Sequence, residues 1–291
     1  MMRSLPRRIR DRIDYALVYL VYYIVGLLPP ITASNIGGWL GRKIGRYVKR
    51  TRMAERLMEE HLPNMTAQER EIALTEMWDN LGRVLFEYPH LARGHLDQFM
   101  SVDGREHIQA AIDSGESTMI FSGHIGNWEM IPKAADMYGL RLHLVYRPPN
   151  NPLIDALIDR VRTRFSLGHY GKGKEGARGT MRAINKGESL GILVDQKDNE
   201  GALLPFLGSP AMTMTSAAKL ALKYRLRVIP ARAIREHAHQ CRMVYYPPLT
   251  LPEGDGEDAV LALTQRFNDI VGEWVKERPG QWFWLHRRWP K

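Results

Sequence analysis

The chain has 291 residues, 44% of them hydrophobic and 25% charged, with one cysteine and a formal net charge of +9. That balance excludes a peptide, a disulfide-stapled miniprotein and a disordered chain, and leaves room for one large domain or two small ones. Cys241 alone cannot form an internal disulfide or a cysteine-rich zinc site, which fits a reducing compartment.

Taken in chain order, the positive charge comes first. Residues 1–60 hold twelve Lys/Arg against five Asp/Glu, and most of these cations flank one apolar run, Tyr15 to Leu28. Arg3, Arg7, Arg8, Arg10 and Arg12 precede it, and a second basic set from Arg42 to Arg52 follows. Such flanks suit anionic lipid more than nucleic acid. As a helix the run covers about 21 Å, short of a hydrocarbon core of about 30 Å, and adding Pro29 to Ala33 brings it near spanning length. Ile31-Thr32-Ala33-Ser34-Asn35 makes a poor cleavage site and four tyrosines suit an interface, so residues 1–33 read as an uncleaved membrane anchor. The alternative is a buried core helix.

Residues 34–101 are rich in helix formers with apolar positions three and four apart, and read as a helical region packed on the core. After Val102-Asp103-Gly104 the pattern changes. Thr118–Phe121, Leu142–Tyr146, Leu190–Val194, Val228–Ala233 and Met243–Tyr246 read as strands, with helices near 128–139, 151–165, 176–187 and 214–224 and a closing helix over Glu257–Lys276. Unbroken apolar strands alternating with helices predict an α/β core over residues 102–291, with a mostly parallel sheet covered on both faces.

The carboxyl edge of such a sheet is where sites form. There Phe121-Ser122-Gly123-His124-Ile125-Gly126-Asn127-Trp128-Glu129 follows the first strand. A His and a Glu five apart diverge on a continuous helix, but a turn at Gly123 and Gly126 lets Glu129 fold back onto the imidazole. His124 is then a general base held in one tautomer by Glu129; the alternative is a histidine that merely satisfies turn backbone. Arg147 ends another strand, and Arg160, Arg162 and Arg164 alternate along a helix, so one or two of them can reach a common site to clamp phosphate or a developing oxyanion. Asp195-Gln196 closes a strand at the same edge as His124 and could orient an arginine or a substrate hydroxyl, or cap the strand.

Competing chemistries fare worse. Gly168 to Glu175 (GHYGKGKE) follows a phosphate-binding loop but ends in Glu where a Ser or Thr must meet magnesium. His237-Ala238-His239 lacks a nearby third metal ligand and reads as a hairpin tip. No Gly-x-Ser-x-Gly elbow is present, which weakens covalent-nucleophile schemes.

Taken together, these blocks resemble the lipid A biosynthesis late acyltransferases, the lauroyl and myristoyl transferases of the lysophospholipid-acyltransferase-like superfamily. The likeness runs through Ser122–Glu129, Val145-Tyr146-Arg147-Pro148 with Asn151-Pro152-Leu153, Asp195-Gln196, Pro205–Gly208 with Met212-Thr213, and the ending Gln281–Trp289. It implies a glycerolipid-acyltransferase-like α/β/α sandwich with an N-terminal anchor on the bacterial inner membrane and an active site on the cytoplasmic side. It implies transfer of a fatty acyl chain from acyl carrier protein thioester to a hydroxyl of a lipid A precursor, with no cofactor or metal. By the same resemblance His124, Glu129 and Arg162 are catalytic, and Arg147, Arg164, Asp195 and Gln196 contact substrate. Two rivals stay open: a same-fold acyltransferase acting on another glycolipid or aminolipid, with acyl-coenzyme A as a possible donor, and a non-catalytic membrane-associated adaptor.

Overall fold

The computed structural model describes residues 5–171 and 173–290; Arg3 of the basic flank and Lys172 of the glycine-rich run lie outside them. Helix α1 (Leu5–Leu27) ends where Pro29 pushes Leu28 out of helical backbone, and Pro30 opens α2 (Pro30–Gly45). The run expected to lengthen the apolar segment, Pro29 to Ala33, therefore belongs to a second helix. Among the described residues no helix is long and apolar enough to cross a membrane. Nor is α1 a buried core helix. Leu5, Ile9, Ile13, Leu17, Leu20, Ile24 and Leu27, spaced three and four apart, are each half or more exposed, which makes one continuous apolar stripe facing outward.

Helices α3 (Thr51–His61) and α4 (Ala67–Leu91) complete the helical region. A Thr66–Glu69 capping box starts α4. It crosses α2 at glycines: a Cβ on Gly41 would lie 2.0 Å from the Trp78 carbonyl oxygen, and one on Gly82 would lie 2.0 Å from that of Gly37. The backbones meet there, and any side chain would separate them.

The core then runs β1 (Met100–Asp103), α5 (Arg105–Ser114), β2 (Thr118–Ser122), α6 (Met130–Met137), β3 (Leu142–Val145), α7 (Pro152–Arg162), β4 (Ser166–Tyr170), α8 (Lys174–Asn185), β5 (Ser189–Leu193), the hairpin β6 (Lys197–Phe206) and β7 (Ser209–Thr213), α9 (Ser216–Lys223), β8 (Arg227–His237), β9 (Gln240–Tyr245) and α10 (Glu257–Glu277). The seven-stranded sheet has the order β1-β9-β8-β2-β5-β3-β4. All its pairings are parallel except the β8–β9 hairpin. Its two faces are covered separately, one by α5, α6 and α7 and the other by α8, α9, α10 and the C-terminal tryptophans. The mostly parallel α/β/α arrangement expected from the sequence is the one found. Strands β1, β4, β6 and β7 were not anticipated. His237-Ala238-His239 is the tip of the β8–β9 hairpin, as read.

Candidate active site

β2 delivers the chain to the carboxyl edge at Ser122, and the next seven residues turn back to start α6. Gly126 makes that turn possible. It has φ +58°, and a Cβ there would sit 2.2 Å from the Ala233 carbonyl oxygen, so only glycine fits. The turn is clamped on both sides. Asn80 of α4 donates to the Gly126 carbonyl at 2.9 Å. The C-terminal segment pairs with it like a strand: Gly126 N donates to Gln281 O at 3.0 Å, and Phe283 N donates to His124 O at 3.1 Å.

The imidazole of His124 is oriented from the neighbouring strand end. Its Nδ1 donates to Asp195 Oδ1 at 2.7 Å, and its backbone N–H donates to Asp195 Oδ2 at 2.7 Å. Trp282 Nε1 donates to the same Oδ2 at 2.7 Å. The Asp195 carbonyl accepts from His286 Nε2 at 3.1 Å and from an Arg288 guanidinium N–H at 2.9 Å. Asp195 has no exposed surface. Burial opposes its ionisation, but the His124 imidazole beside it and the hydrogen bonds that it accepts outweigh burial and hold the carboxyl well below the usual carboxylate range. His286 moves the other way: burial lowers its pKa to about 4, so the ring beside His124 stays neutral. With Nδ1–H committed to Asp195, Nε2 of His124 is the bare, basic nitrogen. The Gln196 side-chain amide stands 3.3 Å from Nε2, and Trp128, Phe283 and His286 surround the imidazole at ring-centroid distances of 5.1, 6.1 and 6.4 Å.

Glu129 does not fold back onto His124. Its carboxylate is forked onto Arg162, with Nε to Oε2 at 3.0 Å and an N–H of the second nitrogen to Oε1 at 2.5 Å, and Oε1 also accepts from Trp128 Nε1 at 3.2 Å. The physical reason is charge pairing: Glu129, at the N-cap position of α6, meets the largely buried guanidinium of Arg162 at the end of α7, which needs a counter-charge. Arg162 is therefore a partner of Glu129 before it is a free cation. It also lies 5.2 Å from the Tyr146 ring.

The remaining expected residues divide. Asp195 and Gln196 join His124. Arg147 and Arg164 are exposed. The Arg164 carbonyl is held by Arg141, which precedes β3, so Arg164 lies at the amino edge of the sheet, away from the turn bearing His124. Asn151-Pro152-Leu153 is the start of α7: the Asn151 side chain accepts from Leu153 N, Pro152 opens the helix, and the Asn151 amide donates to the Asp11 carbonyl of α1 at 2.8 Å.

Sequence reasoning did not assign roles to Trp282, His286 and Arg288, and passed over a buried ion pair, Arg235 with Glu87. Glu87 accepts two N–H groups of Arg235, each at 2.8 Å, the Ser34 hydroxyl at 2.7 Å, and the Asn127 amide of the catalytic turn at 2.7 Å. The available signal was Arg235, an arginine directly continuing the apolar strand that ends at Ile234.

Beside Glu129, a narrow apolar slot with a cavity volume of about 50 Å³ runs between α6 and strands β2, β5 and β3. Its mouth carries Ser122, Trp128, Glu129, Tyr146 and Arg162, and its walls are aliphatic. Trp128 borders both the slot and His124. A base packed against a tryptophan that lines an apolar slot is equipped to move a proton from a hydroxyl while a chain-like apolar group is held nearby.

Comparison with known proteins agrees with this chemistry. Residues 6–291 match the model of the bacterial lipid A biosynthesis acyltransferase family. The chain is 26% identical to a lipid A biosynthesis acyltransferase of Haemophilus influenzae, covering 87% of this chain and 78% of that one. It is 25% identical to the lipid A biosynthesis lauroyltransferase of Escherichia coli, covering 92% and 88%. It is 23% identical to a phosphatidylinositol mannoside acyltransferase of Mycobacterium tuberculosis, covering 75% and 69%. With a family match that spans the helical region, the histidine turn and the C-terminal clamp alike, the chain belongs to the bacterial lipid A biosynthesis acyltransferases.

Proposed function

We propose that the protein transfers a fatty acyl chain from acyl carrier protein thioester to a hydroxyl of a lipid A precursor, on the cytoplasmic side of the bacterial inner membrane. One observation carries the reading: the imidazole of His124, its Nδ1 bonded to Asp195, packs against Trp128, which itself lines the apolar slot. The slot takes the acyl chain. Nε2 removes the proton of the acceptor hydroxyl as its oxygen attacks the thioester carbonyl carbon. The tetrahedral adduct then expels the thiolate, which takes that proton from the imidazolium. Asp195 holds the tautomer and stabilises the imidazolium. The Glu129–Arg162 fork ties α6 to α7 and fixes the wall beside the slot, so both act by positioning; no metal or cofactor enters the scheme.

The exposed stripe of α1, preceded by Arg7, Arg8, Arg10 and Arg12, favours a helix lying in the lipid interface over one that crosses it. Such seating brings the protein to an acylated acceptor that never leaves the bilayer. The mycobacterial similarity makes a mannosylated phosphoinositide the competing acceptor. The test offers purified protein both acceptors, each with acyl carrier protein and acyl-coenzyme A donors, at about 0.05 M and about 0.5 M salt. An acidic carrier steered by a +9 enzyme loses kcat/KM as screening shortens from about 14 Å to about 4 Å, and the coenzyme A donor loses less. Equal salt dependence of the two donors contradicts carrier docking, and preference for the phosphoinositide contradicts the lipid A acceptor.

A further inference from the structure

We propose that Gly191 sets the length of acyl chain the enzyme transfers, acting with Leu144 and Leu142 as the stop at the deep end of the slot. The proposal rests on the reading of that slot as the acyl site.

The sheet builds the slot in levels. In the parallel register Ile120 of β2 is paired with Gly191 of β5, and Gly191 with Leu144 of β3. These three residues share one level, and all line the slot. Ser122 and Leu193 form the level above, at the mouth, and Leu142 lies one level below. Each level is two residues, or about 6.6 Å, from the next. Alternation along β5 turns Leu190 and Ile192 into the core on the opposite face of the sheet and leaves position 191 facing α6. At that position the middle strand of the three has no side chain. The backbones of β2 and β3 stand two strand spacings, about 9–10 Å, apart across that gap, and the Leu144 and Leu142 side chains lean into it from one side. Ile131 and Pro132 of α6 roof it.

The absence of a side chain at 191 is not imposed by the backbone, which is an ordinary strand without positive φ. What a side chain would do is fill the gap. A Cβ at position 191 would lie 2.9 Å from Leu144 Cδ2 and 3.3 Å from Leu142 Cδ1. Both atoms are the tips of flexible side chains, so the fold can absorb the added methyl while the deep end of the slot closes.

The experiment measures kcat/KM for decanoyl, dodecanoyl, tetradecanoyl and hexadecanoyl donors with the full-length enzyme, Gly191→Ala and Leu142→Ala, each checked for a wild-type melting profile. One methylene too many in an apolar pocket is worth about tenfold or more. Gly191→Ala is expected to lower the ratio of long-donor to short-donor kcat/KM by at least that factor, and Leu142→Ala to raise it. A graded wild-type profile that both variants leave in place overturns the proposal and spares the slot as acyl site. A wild-type enzyme that transfers every length equally overturns both. Should Gly191→Ala fail to fold, the opposite shift in Leu142→Ala decides the matter alone.

Discussion

Replacing Asp195 by Asn probes the site at the point where structure and sequence part company. The carboxylate presents two acceptor oxygens, and Asn presents one acceptor and one NH₂ donor. Oδ2 receives two N–H groups, from the His124 backbone and from Trp282, whereas Oδ1 receives only the Nδ1 proton. Turning the NH₂ toward the Oδ2 side sets it against two buried donors, at about 1–3 kcal/mol each. Turning it toward Nδ1 costs far less, because the imidazole can shift its proton to Nε2 and accept at Nδ1. The variant therefore folds, with the proton on the nitrogen that must be bare. An aspartate-to-asparagine change behind a catalytic histidine in a serine protease lowers kcat by about 10⁴ through this wrong tautomer, and a loss of that order is expected here. Single-turnover acyl transfer gives the rate, and ¹⁵N NMR of the imidazole gives the tautomer. Glu129→Gln, which weakens the Arg162 fork without touching His124, should cost much less. An Asp195→Asn enzyme within about tenfold of wild type, or a Glu129→Gln enzyme that is the worse of the two, would refute the reasoning.

Other perturbations follow from the same geometry. Glu87→Gln leaves the buried Arg235 without its counter-charge, and should destabilise by about 3–5 kcal/mol in urea unfolding; a loss below about 1 kcal/mol would mean that the pair is dispensable. His286 ionises near 4 when folded and near 6.5 when unfolded, so below pH 6.5 the unfolded chain binds the extra proton. Its contribution, about 3 kcal/mol, is fully present above pH 6.5 and lost as pH falls toward 4. Unfolding across that range should show the decline in wild type and a flatter curve in His286→Gln, and parallel curves would contradict it. Serine at Leu17, Leu20 and Ile24 together removes about 1.5–3 kcal/mol of lipid burial per side chain. Vesicle flotation should fall more than tenfold with the melting temperature unchanged, whereas a lower melting temperature with flotation intact would return α1 to the core.

The histidine turn was legible because its signals are local: an apolar strand, two glycines at the bend and a helix after it. The choice of partner for His124 was not. Glu129 stands five residues away and Asp195 seventy-one, and only the parallel pairing of β2 with β5 brings Ser122 level with Leu193 and hence Asp195 beside His124. Long-range registry of that kind leaves no mark in spacing. Strands β1 and β4 escaped notice because they are the two edges of the sheet, where mixed sequences such as Ser-Leu-Gly-His-Tyr suffice. The β6–β7 hairpin turns at Leu207-Gly208, both with positive φ, and its strands are only partly buried, so the apolar runs used to find the core strands are missing. The tryptophans and arginines of the C-terminal block looked like a family signature without a task, and their task, clamping Asp195 and the turn, emerges only where the chain end returns to the carboxyl edge.

The central claim, that His124 is the base of an O-acyl transfer onto a lipid A precursor, is tested most directly by mass spectrometry of the acceptor. Wild type and His124→Ala are mixed with acyl carrier protein thioester under single-turnover conditions. Wild type is expected to add one ester-linked acyl chain, and His124→Ala, folded because Gly126 and the C-terminal clamp hold the turn, to add it about 10²–10⁴-fold more slowly, the scale of general base catalysis. Acylation by His124→Ala at more than a tenth of the wild-type rate, or an acceptor left unmodified by wild type, would contradict that claim.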